Sequence, residues 1–245
     1  MTRIIGYHRV YDLPEKTGDV QDELCISREA FEQQMTYLEQ QGYIPVTMNN
    51  IFVSHNPAFK TVAITFDDGY ADNFYHALPI LNAHRMNATF FIATTQLDRQ
   101  QPFTWLRMSE KSQRLALNNE HWLPLSSRQV AAMAKQGMCF GSHLHYDVKA
   151  RMDLQLIESR QRLESITGQQ IFAYCYPFGL IDDYLIESVK AAGFKCAVGN
   201  AYTGGRYALR RLAINGSDSF ETFKRKLSGT YDWPKYCLTR LVNAI

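Results

Sequence analysis

Thr61-Val62-Ala63-Ile64-Thr65-Phe66-Asp67-Asp68-Gly69-Tyr70 runs directly into Ala71–His84, a stretch whose apolar residues recur at helical spacing. The first six residues are β-branched, aromatic or small and apolar, the make-up of a buried strand. Gly69 turns the chain, and the periodic stretch after it reads as a helix. Strand, turn and helix in that order make one βα unit.

The unit recurs. Strands are expected at Arg3–Tyr7, Ala88–Ala93, Met138–Gly141, Ile171–Tyr176, Cys196–Val198 and Leu212–Ile214, and helices at Arg128–Gln136, Leu154–Thr167, Asp183–Ala192 and Phe220–Leu227. Another helix starts after Ser27, whose hydroxyl can cap a first turn, carries Phe31, Met35 and Leu38 on one face, and stops at Gly42. Strands alternating with helices of this length predict βα units around a parallel sheet, either open or closed into a barrel. Thr94 to about Pro124 breaks the rhythm: it holds Phe103, Trp105 and Trp122 but little periodicity. Loops of that length are usually functional or disordered, and its aromatics either line a sugar site or pack the loop down.

A chain of 245 residues is within the range of a single α/β barrel, so one domain covering 1–245 is expected. The 46% apolar and 20% charged composition is that of an ordinary globular protein. With 26 basic and 24 acidic side chains, net +2, and no Lys/Arg block, nucleic acid is not an expected partner. No apolar run approaches the roughly 20 residues that cross a bilayer, so no transmembrane segment is expected. The start Met1-Thr2-Arg3-Ile4-Ile5-Gly6-Tyr7-His8 lacks the pattern of a signal peptide, which points to the cytoplasm. Five cysteines with no CxxC pair suggest neither a disulfide framework nor a zinc knuckle.

Three clusters carry chemistry. Asp67 and Asp68 stand side by side at the C-terminal end of a strand, where α/β proteins place their active sites. Adjacent carboxylates repel, so they call for a cation or a shared proton; the alternative is that one caps the following helix and the other is solvated. In Gly141-Ser142-His143-Leu144-His145-Tyr146-Asp147, His143 and Asp147 share a face if the turn is helical, whereas His143 and His145 share one if it is extended. Either pair can hold a metal. Tyr174-Cys175-Tyr176-Pro177-Phe178-Gly179 is a strand running into a turn, weak evidence alone.

The ordered set Thr65-Phe66-Asp67-Asp68-Gly69, Gly141-Ser142-His143 and Tyr176-Pro177-Phe178-Gly179 resembles the polysaccharide deacetylase family with the NodB-homology domain. Gly6-Tyr7-His8-Arg9-Val10 and the helix at Glu29–Gly42 are similar to its subgroup associated with bacterial exopolysaccharide, capsule and lipopolysaccharide synthesis. The resemblance implies a distorted (β/α)7 barrel and removal of acetyl groups from an N-acetylated sugar or oligosaccharide. It implies Asp67 as general base, Asp68 and His143 as ligands of one divalent metal, zinc foremost with manganese, cobalt or iron as alternatives, and the backbone N–H of Phe178 as oxyanion donor. The subgroup points to surface-polysaccharide synthesis, and the expected cytoplasmic placement favours a biosynthetic precursor over a finished wall polymer, with peripheral association at the inner membrane face left open. Three departures matter. Asp147 stands where the family has a second histidine ligand, leaving Asp147 and His145 as competing third ligands. Cys175 stands where many members have an arginine that orients the base, which leaves Arg211 as candidate partner. The late Leu-x-His that supplies the acid is absent, and His8 is expected in its place. Competing readings are a catalytically impaired carbohydrate-binding relative and a hydrolase of another non-peptide C–N bond on the same scaffold.

Overall fold

In this computed structural model, which describes residues 2–53, 58–103, 107–117, 119–143, 152–199 and 205–229, strands and helices alternate as expected. The strands are β1 (Arg3–Tyr7), β2 (Arg9–Val10), β3 (Cys25–Ile26), β4 (Ile44–Pro45), β5 (Thr61–Phe66), β6 (Ala88–Ile92), β7 (Cys139–His143), β8 (Ala173–Cys175), β9 (Cys196–Gly199), β10 (Leu209–Arg210) and β11 (Leu212–Ala213). The helices are α1 (Gln21–Leu24), α2 (Arg28–Gln40), α3 (Leu78–Ala83), α4 (Glu110–Ala116), α5 (Ser127–Lys135), α6 (Met152–Thr167), α7 (Asp183–Ala191) and α8 (Phe220–Ser228).

The main sheet is parallel and runs β10-β9-β8-β7-β6-β5-β1-β11. Only Arg211 separates β10 from β11, so residues 209–213 are one segment that pairs with β9 through Leu209 and Arg210 and with β1 through Leu212 and Ala213. The Arg211 N–H donates to the Gly199 carbonyl at 3.1 Å and ties this seam. The sheet therefore closes on itself. Counted as one strand, the seam makes seven with β1, β5, β6, β7, β8 and β9, which is the expected distorted (β/α)7 barrel. The short β4 lengthens the edge of β5, and β2 and β3 form a small separate pair.

Both faces of the barrel wall are buried, so successive side chains serve two cores. Ile4, Ala63, Phe91, Ala173, Cys175, Cys196 and Val198 cluster on the inside with Val46 and Met48. Ile5, Tyr7, Ile64, Phe66, Phe90, Phe140 and Tyr174 face outward and pack against Phe31, Met35 and Leu38 of α2 and against the other helices. On that outer face Tyr7, Phe66 and Phe90 stack in turn, with centroids 5.4 and 4.7 Å apart. Among the described residues no helix is long and apolar enough to cross a membrane.

Two regions differ from the sequence reading. The stretch after Thr94 contains α4, capped by the Ser109 hydroxyl on Ser112, and a 3-10 turn at Glu120–Trp122. Phe103 and Trp122 are 3% and 1% exposed, so of the two readings of these aromatics the packed-down one holds; Trp105 lies outside the described residues. The expected helix at 71–84 begins instead as a π-helical turn, Asn73–Ala77, before becoming α3. Pro79 has no N–H to give the carbonyl four residues back, so a regular α-helical ladder is broken there.

Candidate active site

The same alternation that builds the wall aims the site. Counting inward positions from Ile4 on β1 and Ala63 on β5 leads to His8 and Asp67 just past their strand ends, and the β1–β5 register sets Tyr7 beside Phe66. The Asp67 N–H donates to the Tyr7 carbonyl at 2.9 Å and extends that register by one step. On β7 and β8, His143 pairs with Cys175. All of these lie at the C-terminal mouth of the barrel.

Asp68 leaves the pattern. Its φ is +68°, an uncommon left-handed conformation for a residue with a side chain, and Gly69 follows at +86°. The turn is clamped from outside, with the Asp68 carbonyl accepting from Ala93 N–H at 3.1 Å and the Gly69 carbonyl from Leu125 N–H at 2.8 Å. The result is two neighbouring carboxylates with different partners.

Asp67 is gripped by Arg211 from the seam: Nη1 donates to Oδ1 at 2.6 Å and Nη2 to Oδ2 at 2.5 Å, with both side chains 4% exposed. Nη1 also reaches Thr65 Oγ1 at 3.3 Å, and that hydroxyl donates to the Ile5 carbonyl at 2.8 Å. Burial alone would raise the Asp67 pKa; the charge and hydrogen bonds of Arg211 outweigh it and hold the carboxyl below the ordinary aspartate value. The Cys175 thiol donates to Asp67 Oδ1 at 3.5 Å, and burial pushes that thiol upward, so it stays protonated. His8 Nε2 lies 3.8 Å from Asp67 Oδ2 on the open side, its side chain 26% exposed. Burial lowers the His8 pKa against the pull of Asp67 and Asp68.

Asp68 faces His143 instead, with Oδ1 3.3 Å from Nε2. His143 Nδ1 lies 2.9 Å from the Cys175 carbonyl, which can only accept, so Nδ1 carries a proton. Burial pushes His143 down, but Cys175, Asp68 and Asp67 outweigh it and lift its pKa well above the ordinary histidine value. A carboxylate oxygen opposite a neutral imidazole nitrogen is acceptor against acceptor, an arrangement that a proton or a cation relieves. Donor atoms of Asp67, His143 and Cys175 also lie within 4.8 Å of one another. Because both Asp67 oxygens are committed to Arg211 and Cys175 is a protonated thiol, Asp68 and His143 are the better anchor. Carboxylate plus imidazole suits a divalent first-row ion.

The structure thus gathers Asp67, Asp68, His143, His8 and Arg211. Phe178 sits in the turn Pro177–Gly179 after β8, at φ +56°. His145 and Asp147 lie outside the described residues. The sequence reading missed two supporting positions. Thr65 braces Arg211, and Gly6 makes room for it, since a Cβ there would come within 2.9 Å of Arg211 Nε. Strand alternation was a usable signal for both, because it puts Gly6 and Thr65 on the inner face.

A sequence profile of the polysaccharide deacetylase family matches residues 54–197. The chain belongs to the polysaccharide deacetylase family. YxkH of Bacillus subtilis (strain 168) is 23% identical, over 82% of this chain and 69% of its own length. The poly-beta-1,6-N-acetyl-D-glucosamine N-deacetylase of Escherichia coli (strain K12) is 23% identical over 91% of this chain, which spans only 38% of that protein. Among solved structures, the Streptococcus pyogenes deacetylase PplD in complex with acetate matches with a TM-score of 0.73 and 23% identity, over 92% of this chain and 97% of that one. IcaB from Ammonifex degensii matches at 0.70 and 22%, over 93% and 95%. Such likeness shows a shared fold. Polysaccharide deacetylases are hydrolases of non-peptide carbon–nitrogen bonds, and this chain is one of them.

Proposed function

We propose that the chain is a metal-dependent N-deacetylase of an N-acetylhexosamine-containing glycan or glycan precursor, with residues 1–245 forming one catalytic domain. Support for the single domain comes from β1 and the seam. Both lie outside the family match at 54–197, yet they pair within the same sheet and carry His8 and Arg211. The name of the Escherichia coli relative supports the substrate class.

The roles follow from the two separately partnered aspartates. Asp67, ionised and aimed by Arg211, accepts the proton of the attacking water. A carboxylate held this low is a weak base. A divalent ion at Asp68 and His143, with Asp147 or His145 as third ligand and zinc foremost among candidates, would supply what so weak a base requires: a polarised acetyl carbonyl and a water whose pKa is lowered toward about 7. His8, on the open side of Asp67, gives the proton to the departing sugar amine, and its lowered pKa makes it a willing donor once protonated. The Phe178 N–H stabilises the oxyanion.

The observation that carries this reading is the Arg211 fork on Asp67 beside the facing Asp68–His143 pair. Asp67→Asn tests it. The variant is expected to keep its fold and metal while losing roughly 10²–10⁴-fold in turnover. An Asn variant as active as the parent would remove Asp67 from the base role.

A further inference from the structure

His8 occupies the break between β1 and β2 and is part of neither strand. Among the described residues its imidazole has no hydrogen-bond partner; Asp67 Oδ2 lies 3.8 Å from its Nε2, beyond hydrogen-bond reach. A side chain without bonds of its own is aimed only by the backbone that carries it. That backbone is held unusually well. The Tyr7 carbonyl accepts from Asp67 N–H at 2.9 Å, and the His8 carbonyl accepts from Asn73 Nδ2 at 3.0 Å. The next residue, Arg9, is fully buried and donates from Nε to Asp72 Oδ2 at 2.7 Å and from Nη1 to Gln21 Oε1 at 2.8 Å. Its guanidinium lies 4.0 Å from the ring centroid of Trp122 and 4.6 Å from that of Tyr70. Val10 N–H reaches Asp72 Oδ1 at 3.4 Å.

We propose that Asn73, backed by the Asp72–Arg9 ion pair, is a positioning residue that fixes His8 against Asp67. The claim rests on the reading of His8 as the acid. Asn73 Nδ2 spends its second N–H on Asp72 Oδ1 at 2.9 Å, so one amide nitrogen joins the His8 backbone to the carboxylate that grips Arg9. The opposite amide orientation would point an oxygen at two acceptors, so only this one is workable. Asn73 Oδ1 is left buried without a partner among the described residues, a cost that self-satisfaction of the amide does not explain. A buried ion pair is likewise poor value for stability alone, and its best-attested use is to specify one arrangement. Here the arrangement specified is the path of residues 7–10 over the turn that carries Asp67 and Asp68. The base and the acid are thereby set by a single stretch, residues 67–73.

The test is a double-mutant cycle of Asn73→Ala and His8→Ala, with kcat measured on an N-acetylated glucosamine oligosaccharide and on an activated aryl acetate, whose leaving group needs no proton. Misplacement of a reacting group by about 1 Å can cost about 10²-fold. Asn73→Ala is expected to lose about ten- to a hundred-fold on the amide, a loss about ten-fold greater than on the aryl acetate, and to cause less than about two-fold further loss in the His8→Ala background. Asn73→Leu, which keeps most of the side chain's volume and has no donor, carries the same comparison if Asn73→Ala does not fold. Losses that multiply in the double variant, or that are equal on the two substrates, would overturn the positioning role while leaving His8 as the acid. If His8→Ala alone leaves amide hydrolysis intact, the acid assignment falls and the positioning role falls with it.

Discussion

Arg211→Met removes the guanidinium fork from Asp67 while keeping much of the side chain's length. Asp67 is 3% exposed, so the variant buries a carboxylate without its cation. Removing one partner of a buried pair costs about 3–5 kcal/mol. For a chain of this size, at about 2–4 °C per kcal/mol, the melting temperature should fall by about 6–20 °C. The pH dependence has a definite sign. Arg211 holds the folded-state pKa of Asp67 low, so in the parent the pair's contribution is present above the unfolded value of about 3.9 and is lost as pH falls through the folded value. In Arg211→Met burial dominates and raises that pKa, so the loss should be greater at about pH 7 than at about pH 4. The assay is thermal unfolding of the parent, Arg211→Met, Asp67→Asn and the double variant at both pH values. The double variant should lose less than the sum of the single losses, because it buries neither charge alone. Additive losses, or an Arg211→Met protein that melts with the parent, would refute the coupling.

Asp68→Asn should bind divalent metal far more weakly, while Asp67→Asn should hold it at parental stoichiometry, as measured by metal analysis after dialysis; the reverse pattern would exchange the two roles. Of the competing third ligands, Asp147→Ala should weaken zinc binding and His145→Ala should not, because the four-residue spacing of Asp147 from His143 is the one that resembles the family's ligand pair. A fully metal-loaded Asp147→Ala protein would transfer the role to His145. On the outer surface, His84 donates to Glu32 and Glu39, each at 2.8 Å; burial lowers its pKa, but these carboxylates outweigh that and raise it. The contribution is therefore present below the unfolded value of about 6.5 and is lost as pH rises through the folded one. Because both glutamates are about half exposed, His84→Gln should cost about 1 kcal/mol or less at acidic pH and nothing once His84 is neutral, a difference readable in chemical unfolding at two pH values.

Strand position and the acidic turn were legible because they are local. Thr61–Phe66 carries no charge on either face and is buried throughout, as a wall strand covered on both sides must be, and Asp67-Asp68-Gly69 sits where that wall ends. Arg211 was nameable from the sequence, but the choice between Arg210, exposed, and Arg211, 4% exposed, depends on register at the seam. α4 was illegible because it buries only Ser112 and Ala116, so it leaves no apolar stripe to count. The Arg9–Asp72 pair spans 63 positions, beyond any spacing rule. It had one sequence signal: Arg9 lies two residues past Tyr7, the end of the expected first strand, in step with Ile5 and Tyr7 of the outward face, and a cation buried under helices requires an acid.

Acetate release tests the central claim most directly. Purified protein supplied with a divalent metal is incubated with an N-acetylglucosamine oligosaccharide, and acetate and new free amine are measured together, with a chelated sample and Asp67→Asn as controls. Acetate and amine should appear in equal amounts and be lost in both controls. Folded, metal-loaded protein that releases no acetate from any N-acetylated glycan, or that releases it equally after Asp67→Asn, would contradict the assignment.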